Sequence, residues 1–302
     1  MSERNDATNY EREITMNTIH GTTQPSHSAQ TTSNTVLIVG GTGKTGRRVA
    51  QGLEAKGLPV RIASRSGATK FDWEDESTWA PALRGVEAMY LTYFPDLCDP
   101  RAPGHIRALS KKAVECGVKR IVLLSGRGEP QCWPSEKAVR ESGAKFTILR
   151  CSWFNQNFSE GQLLDSVRSG EIAFPAGNCA EPFIDVDDIA DVAVAALTDD
   201  AHSGKLYELT GPRLLTFAEA AAELSRAAGR PIQYVPVSGE EYAKVLAEFF
   251  PPEEVKFLTD LFLFVLDGHN AHLSDGVERA LGRKPRDFAD FARKAAATGV
   301  WS

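Results

Sequence analysis

An α/β fold of Rossmann type, a doubly wound parallel sheet with a smaller mixed, mainly helical C-terminal lobe, is what this sequence predicts. Three observations predict it. From residue 35 onward, short apolar runs alternate with helical patterns. The runs recur at the spacing of βαβ units, which pair in parallel. The first run leads through a glycine-rich turn directly into a helix, "TVLIVGGTGKTGRRVA".

The elements follow in order. "TVLIVG" (35–40) is unbroken apolar, as a strand buried on both faces requires. Residues 44–57 read as a helix closed at Gly57. "PVRIAS" is a second strand, "TKFDW" a short third and "VEAMYLTY" (86–93) a fourth. A helix over 103–117, again ended by glycine, precedes a fifth strand, "KRIVLLSG" (119–126). A helix over 134–143 precedes the sixth, "AKFTILR" (144–150). Later come a helix over 186–199 with an acidic first turn, which suits the helix dipole, and a strand over 205–211. "TFAEAAAELSRAAG" has Thr216 and Glu219 at capping-box spacing, "PIQYVPV" is a strand, and 238–298 is mostly helical. The core is expected over about 35–155 plus later strands. The lobe is expected mostly from about 155 onward, with a substrate crevice between the two. For "EFFPPEEVKFLTDLFLFVLD" (248–267), core packing is the default; a lid or a dimer surface are the other uses of its apolar face.

Composition narrows the function classes. The chain has 302 residues, 42% hydrophobic and 25% charged, as in ordinary soluble domains. With 34 basic and 40 acidic residues the net charge is −6, which argues against a general nucleic-acid binder. No run of ~18 apolar residues is present, so no spanning helix is expected. Residues 1–34, rich in Thr, Ser, Asn and Gln, read as a disordered tail. The tail has no apolar signal core, and Glu3, Asp6, Glu11 and Glu13 do not suit a transit peptide, so a cytoplasmic protein is expected. Met16 is a second possible initiator. The five cysteines (Cys98, Cys116, Cys132, Cys151, Cys179) form no C-x-x-C pair and read as free thiols. His269 and His272 have no neighbouring Cys/His cluster, so no metal site is expected.

The glycine turn has two readings. Gly43-Lys44-Thr45 looks like the end of an ATP-binding P-loop, but five residues before Gly43 stands Ile38, inside the strand, where that loop needs its first glycine. The dinucleotide reading fits. Gly40 makes the tight turn, Gly43 lets backbone approach a pyrophosphate, and Gly46 lets the helix pack on the strand. Gly41, Thr42, Lys44 and Thr45 complete the loop. An NAD site places an acid at the end of the second strand to bond the ribose 2′-hydroxyl. Here "RIASRSGATKF" (61–71) has no acid, and Ser64 and Arg65 stand in its place. A hydroxyl beside a guanidinium suits a 2′-phosphate, so NADP(H) is expected over NAD(H).

With these residues in view, the chain resembles the NmrA-like branch of atypical short-chain dehydrogenases. The resemblance rests on "GGTGKTG", "FDWEDESTW", "GVKRIVLLSG", "SGAKFTILRCSWFNQNF" and "FIDVDDIADVA", and runs from about residue 36 to the C-terminus. Within the branch these stretches are most similar to the ergot alkaloid biosynthesis type, the agroclavine- and festuclavine-forming reductases. The branch holds NAD(P)H-dependent imine, quinone and azo reductases, and also cofactor-sensing regulators without turnover. The resemblance implies Asp72 and Trp73 near adenine. It implies Thr92, Tyr93 and Phe94 beside the nicotinamide ribose, and Ser125 at the reactive end. Trp153, Phe154 and Asn157 would line the substrate pocket, with Phe158 adding to its aromatic wall.

One departure shapes the chemistry. The superfamily's Tyr-x-x-x-Lys pair is absent: none of Tyr10, Tyr90, Tyr93, Tyr207, Tyr234 and Tyr242 has lysine four residues on. Many relatives keep a lysine about ten residues before the "SG" of strand six, and that position here is Cys132. No catalytic acid is therefore assigned. Reducing a ketone needs a proton near the transition state, whereas hydride addition to an iminium ion gives a neutral amine directly. The expected function is hydride transfer from NADPH to a small cyclic or aromatic imine, iminium or quinone-like acceptor, by a monomer or homodimer. The alternative is an inactive NADP(H)-sensing regulator that binds a protein partner.

Overall fold

The computed structural model describes residues 34–302; the expectations for the tail and for Met16 fall on residues outside the described ones, Asn34 excepted. The first half builds β1 (Thr35–Val39), α1 (Lys44–Ala55), β2 (Val60–Ser64), β3 (Thr69–Lys70) and α2 (Trp79–Leu83). It continues with β4 (Val86–Leu91), α3 (Ala102–Glu115), β5 (Arg120–Gly126), α4 (Trp133–Arg140) and β6 (Lys145–Cys151). The second half contributes α5 (Asn157–Glu160), α6 (Leu164–Ser169), β7 (Glu171–Phe174), β8 (Ala180–Glu181), α7 (Val186–Thr198), β9 (Lys205–Leu209) and β10 (Leu215–Thr216). It ends with α8 (Phe217–Ala228), β11 (Gln233–Pro236), α9 (Gly239–Leu246), α10 (Pro252–Val265), α11 (Gly276–Leu281) and α12 (Phe288–Ala297).

Seven strands form one sheet in the order β3-β2-β1-β4-β5-β6-β9, every neighbouring pair parallel. The strand order reverses direction at β1, between β2 and β4, which opens a crevice beyond the C-terminal strand ends. The unbroken apolar β1 follows from burial on both faces. Leu37 and Val39 pack with Leu83, Ile106, Leu109 and Val139. Val36 and Ile38 pack on the other face with Val49, Leu53, Ile189 and Val192. Ile38 is fully buried, so the loop's first P-loop position is occupied by core.

A third core holds the C-terminal lobe, where Phe158, Phe174, Phe183, Phe217, Phe288 and Trp301 pack together. The capping box at the start of α8 forms as read: the Glu219 amide donates to Thr216 Oγ1 (3.2 Å) and the Thr216 amide to Glu219 Oε2 (2.8 Å). In α10, Val255, Thr259, Phe262 and Val265 turn inward while Phe249 and Leu263 stay exposed, so core packing holds for one face of that segment.

One expectation is corrected. Of "TKFDW" only Thr69–Lys70 is strand. The rest is a turn, because the Asp72 and Asp75 carboxylates accept from the amides of Glu74 and Ser77 (both 3.1 Å) and compete with ladder bonds. The strand read in "PIQYVPV" does not join the main sheet; it pairs in parallel with β7, which the sequence reading missed. α7 packs with α1 against the sheet, and β9 and α11 return to it as well.

Candidate functional site

The crevice is built upward from the turn after β1. Gly40 has φ +75°, a conformation that favours glycine, and a Cβ there would fall 2.2 Å from Thr92 Oγ1. Thr92 lies just past β4 and its hydroxyl donates to Val39 O (3.0 Å), so the end of β4 rests on the turn. A Cβ on Gly46 would fall 2.4 Å from Gly40 O, and this closeness seats α1 against β1. The Gly43 amide donates back to Gly40 O (2.9 Å). No side chain caps α1, and its first turn has no acid. Its leading N–H groups and the positive end of its dipole therefore face the crevice. Gly41 and Thr45 are buried and Thr42 is exposed beside them.

Lys44 does not point freely at the crevice. Its ammonium donates to Asn157 Oδ1 (2.9 Å) on α5 and lies under Gly161, where a Cβ would sit 2.9 Å from Nζ. Burial, with Arg47 close by, holds its pKa below the ordinary lysine value. Among the described residues its side-chain hydrogen-bond partner is a neutral amide, so a nearby anion would favour the charged form. Arg48 ties the same helix to Asp187 (2.7 Å) and Glu160 (2.7 Å). Asn157, read as a substrate-lining residue, thus joins the glycine turn to the lobe.

At the end of β2, Ser64 Oγ is buried without a hydrogen-bond partner among the described residues, and Gly67 leaves it room, since a Cβ there would fall 2.6 Å away. Arg65 is exposed and lies over the Phe94 ring at 4.7 Å. Phe94 is itself 62% exposed, so the two form a lip between the ends of β2 and β4. Trp73 and Tyr93 are mostly core. Trp73 packs on Phe71, Trp79, Tyr93 and His105, with 9% of its surface exposed. The Tyr93 hydroxyl meets His105 Nδ1 at 2.7 Å, and burial, with Asp99 near, pushes its pKa up to about 12. Asp72 accepts the Trp79 indole N–H on its carbonyl (2.7 Å) and keeps its side chain for its own turn.

The end of β5 holds residues the sequence reading missed. Ser125 is buried and donates to Glu136 Oε1 (2.8 Å), while Glu136 accepts two bonds from Arg150 (2.8 Å each). The serine hydroxyl is therefore fixed by a carboxylate on α4. Arg127 is 2% exposed and donates to Asn270 O and His272 O (2.9 Å each), stitching the segment before α11 across β5. Two of the cysteines are brought together by the fold. Cys98 Sγ and Cys132 Sγ lie 3.3 Å apart, and Glu129 Oε2 sits 2.7 Å from the first and 3.8 Å from the second. Burial, with the Asp96 carboxylate adding, pushes Glu129 up to about 7. The contact with Cys132 and burial raise the Cys98 thiol. No spacing signal could reveal this group, because Cys98 comes from the loop after β4 and Glu129 and Cys132 from the loop after β5, and the two meet only in the fold.

Beyond β6, Trp153 lies in the aromatic core against Phe174, Phe217 and Phe262 with 8% of its surface exposed. Its position leaves it little room to line a pocket. Phe154 is half-buried and bridges to Ile184, and Phe158 is fully buried in the core. Polar atoms are nonetheless orphaned here: Ser152 Oγ, Trp153 Nε1 and both amide atoms of Asn155 are buried without partners among the described residues. Orphans of this kind are rare unless water or a ligand completes them. Glu181 Oε2 is a further orphan, and burial, against the nearby Arg127 charge, raises Glu181 to about 7.

These features fit a dinucleotide. The uncapped α1 and the Gly40–Gly46 turn suit a pyrophosphate, and Ser64 and Arg65 a further phosphate. The description "NmrA-like family" matches residues 135–292, about half the chain. The chain is 36% identical over 283 residues to an uncharacterized oxidoreductase, YesF, of Bacillus subtilis, covering 89% of this chain and 98% of that one. The chain belongs to the NmrA-like family. Another relative, agroclavine dehydrogenase of Claviceps fusiformis, is 35% identical over 278 residues, covering 85% of this chain and 96% of that one. Among solved structures, the triphenylmethane reductase of Citrobacter sp. complexed with NADP(H) superposes with a TM-score of 0.70 at 22% identity. It covers 86% of this chain and 99% of that one, a likeness of fold. No helix among the described residues is long and apolar enough to cross a membrane.

Proposed function

We propose that this NmrA-like protein is an NADPH-dependent reductase acting on a small cyclic or aromatic acceptor, an imine, iminium ion or quinone-like compound. The observation that carries the reading is the crevice itself: an uncapped α1 behind Gly40–Gly46, with Ser64 and Arg65 where an NAD site would hold an acid. The relatives named oxidoreductase and dehydrogenase, and the neighbour complexed with NADP(H), support it. Gly40 to Gly46 and Lys44 would hold the pyrophosphate, Ser64 and Arg65 the 2′-phosphate, and Thr92 the ribose. When bound, the cofactor supplies a hydride.

The residues around the reactive end favour an acceptor that needs no proton from the protein during hydride addition. Ser125 is committed to Glu136, and the Tyr93 hydroxyl to His105. Positioning in a dry site then supplies the rate. The thiols and the acidic composition of the chain fit a reducing cytoplasm.

The test is NADPH oxidation by the purified protein against a panel of cyclic iminium salts, quinones and azo dyes. The expected outcome is turnover with an iminium ion or quinone and none with simple ketones. NADPH binding without oxidation by any acceptor would favour the alternative, a cofactor-sensing regulator.

A further inference from the structure

The loops after β4 and β5 and the residue before α4 bring two thiols and one carboxylate to one point. We propose that Cys98, Cys132 and Glu129 form a binding site for a thiophilic divalent cation, zinc above all. The three donor atoms, Cys98 Sγ, Cys132 Sγ and Glu129 Oε2, lie within 4.8 Å of one another. A tetrahedral zinc ion with sulfur at about 2.3 Å and oxygen at about 2.0 Å separates two sulfurs by about 3.8 Å and a sulfur from an oxygen by about 3.5 Å. The separations here are 3.3 Å between sulfurs and 2.7 and 3.8 Å from sulfur to oxygen. Each lies within about 1 Å of the tetrahedral set, a shift that side-chain torsions supply.

A disulfide explains the cluster less well. The sulfurs would have to close from 3.3 Å to about 2.05 Å, and Glu129 Oε2 would stay lodged against both of them to no purpose. The carboxylate is held there by design of the backbone: a Cβ on Gly126 would fall 2.2 Å from Glu129 Oε1, so a glycine clears its space. No lysine or arginine bonds to Glu129 among the described residues, and the buried Asp96 carboxylate adds a further acidic group by accepting from the Cys98 amide (2.8 Å). Four acidic groups in one place are stabilised by a cation, and two sulfur donors select zinc over magnesium or calcium. Cys98 is half-buried, which gives the ion a way in. Three protein donors leave a fourth position for water or a substrate heteroatom.

The proposal does not rest on the reductase reading, and its test needs neither cofactor nor turnover. The full-length protein, reduced and stripped with a chelator, is titrated with cobalt(II) and then zinc. The expected result is one equivalent bound, with thiolate-to-cobalt absorption that zinc abolishes. In parallel, each cysteine's labelling by iodoacetamide is read by mass spectrometry. Zinc should slow labelling of Cys98 at least about tenfold and leave Cys116 unchanged. Cys132→Ser should weaken cobalt binding at least about tenfold, and Cys116→Ser should not. Absence of sulfur absorption, Cys98 labelling indifferent to zinc, or equal affinity in both variants overturns the proposal. If Cys132→Ser does not fold, the labelling of the unaltered protein decides.

Discussion

Arg65 shows how much a single residue is asked to do. It is exposed, lies over Phe94, and has no carboxylate partner among the described residues. Charge-assisted bonds to a phosphate are worth about 1.5–3 kcal/mol, so Arg65→Ala should weaken NADPH binding about 10- to 100-fold and change NADH binding little. Fluorescence titration with both cofactors checks this, and equal losses for the two would remove Arg65 from the 2′-phosphate site. Glu181 gives a second test at this scale. Its folded pKa of about 7 stands above the ordinary 4.5, because burial disfavours its charge. The folded state then binds the proton more tightly, so this group's contribution to stability falls as pH rises from about 4.5 to about 7. The cost reaches at most about 3 kcal/mol above that window. Glu181→Gln should therefore gain thermal stability relative to the parent at pH 8 and much less at pH 5; a gap independent of pH would contradict the burial argument. The role proposed for Arg65 starts from a missing acid that the sequence shows, whereas nothing in the sequence marks Glu181, whose charged neighbours Arg127, Asp267 and His269 come together only in the fold.

Elements explain which motifs survive as read. α1 and its turn were legible because each glycine answers a local backbone demand: a positive φ at Gly40, a close approach at Gly46. Gly46→Ala would set a methyl 2.4 Å from Gly40 O, so α1 must shift. Overpacking of this kind costs about 1–3 kcal/mol, and the same shift should cut NADPH affinity at least about tenfold. Urea unfolding and cofactor titration measure the two effects; unchanged affinity would show that α1 does not hold the pyrophosphate. The aromatic motifs were less legible. A sequence cannot tell an aromatic that lines a pocket from one that fills a core, and Trp73, Trp153 and Phe158 went mostly to cores. Asn157 was named for substrate and found bonded to Lys44, because α5 folds back over α1.

At the scale of the molecule, alternating apolar runs were enough to foresee the parallel sheet, since βαβ connections have one hand and few topologies. They were not enough to divide the chain. α7 and β9 return to the sheet after the lobe has begun, and the pairing of β7 with β11 is non-local. The thiol cluster is of the same kind, a product of two loops that meet only in the fold. The sheet sets the C-terminal strand ends around one crevice. Ser125 and Tyr93 are both engaged elsewhere within it, so the central claim is hydride transfer to an acceptor that draws no proton from the protein. The most direct measurement uses NADPH carrying deuterium at either face of C4, with a cyclic iminium acceptor, and reads the product by mass spectrometry. Deuterium should appear on the former iminium carbon from one labelled face and not the other. Tight NADPH binding with no deuterium in the product from either face would contradict the account.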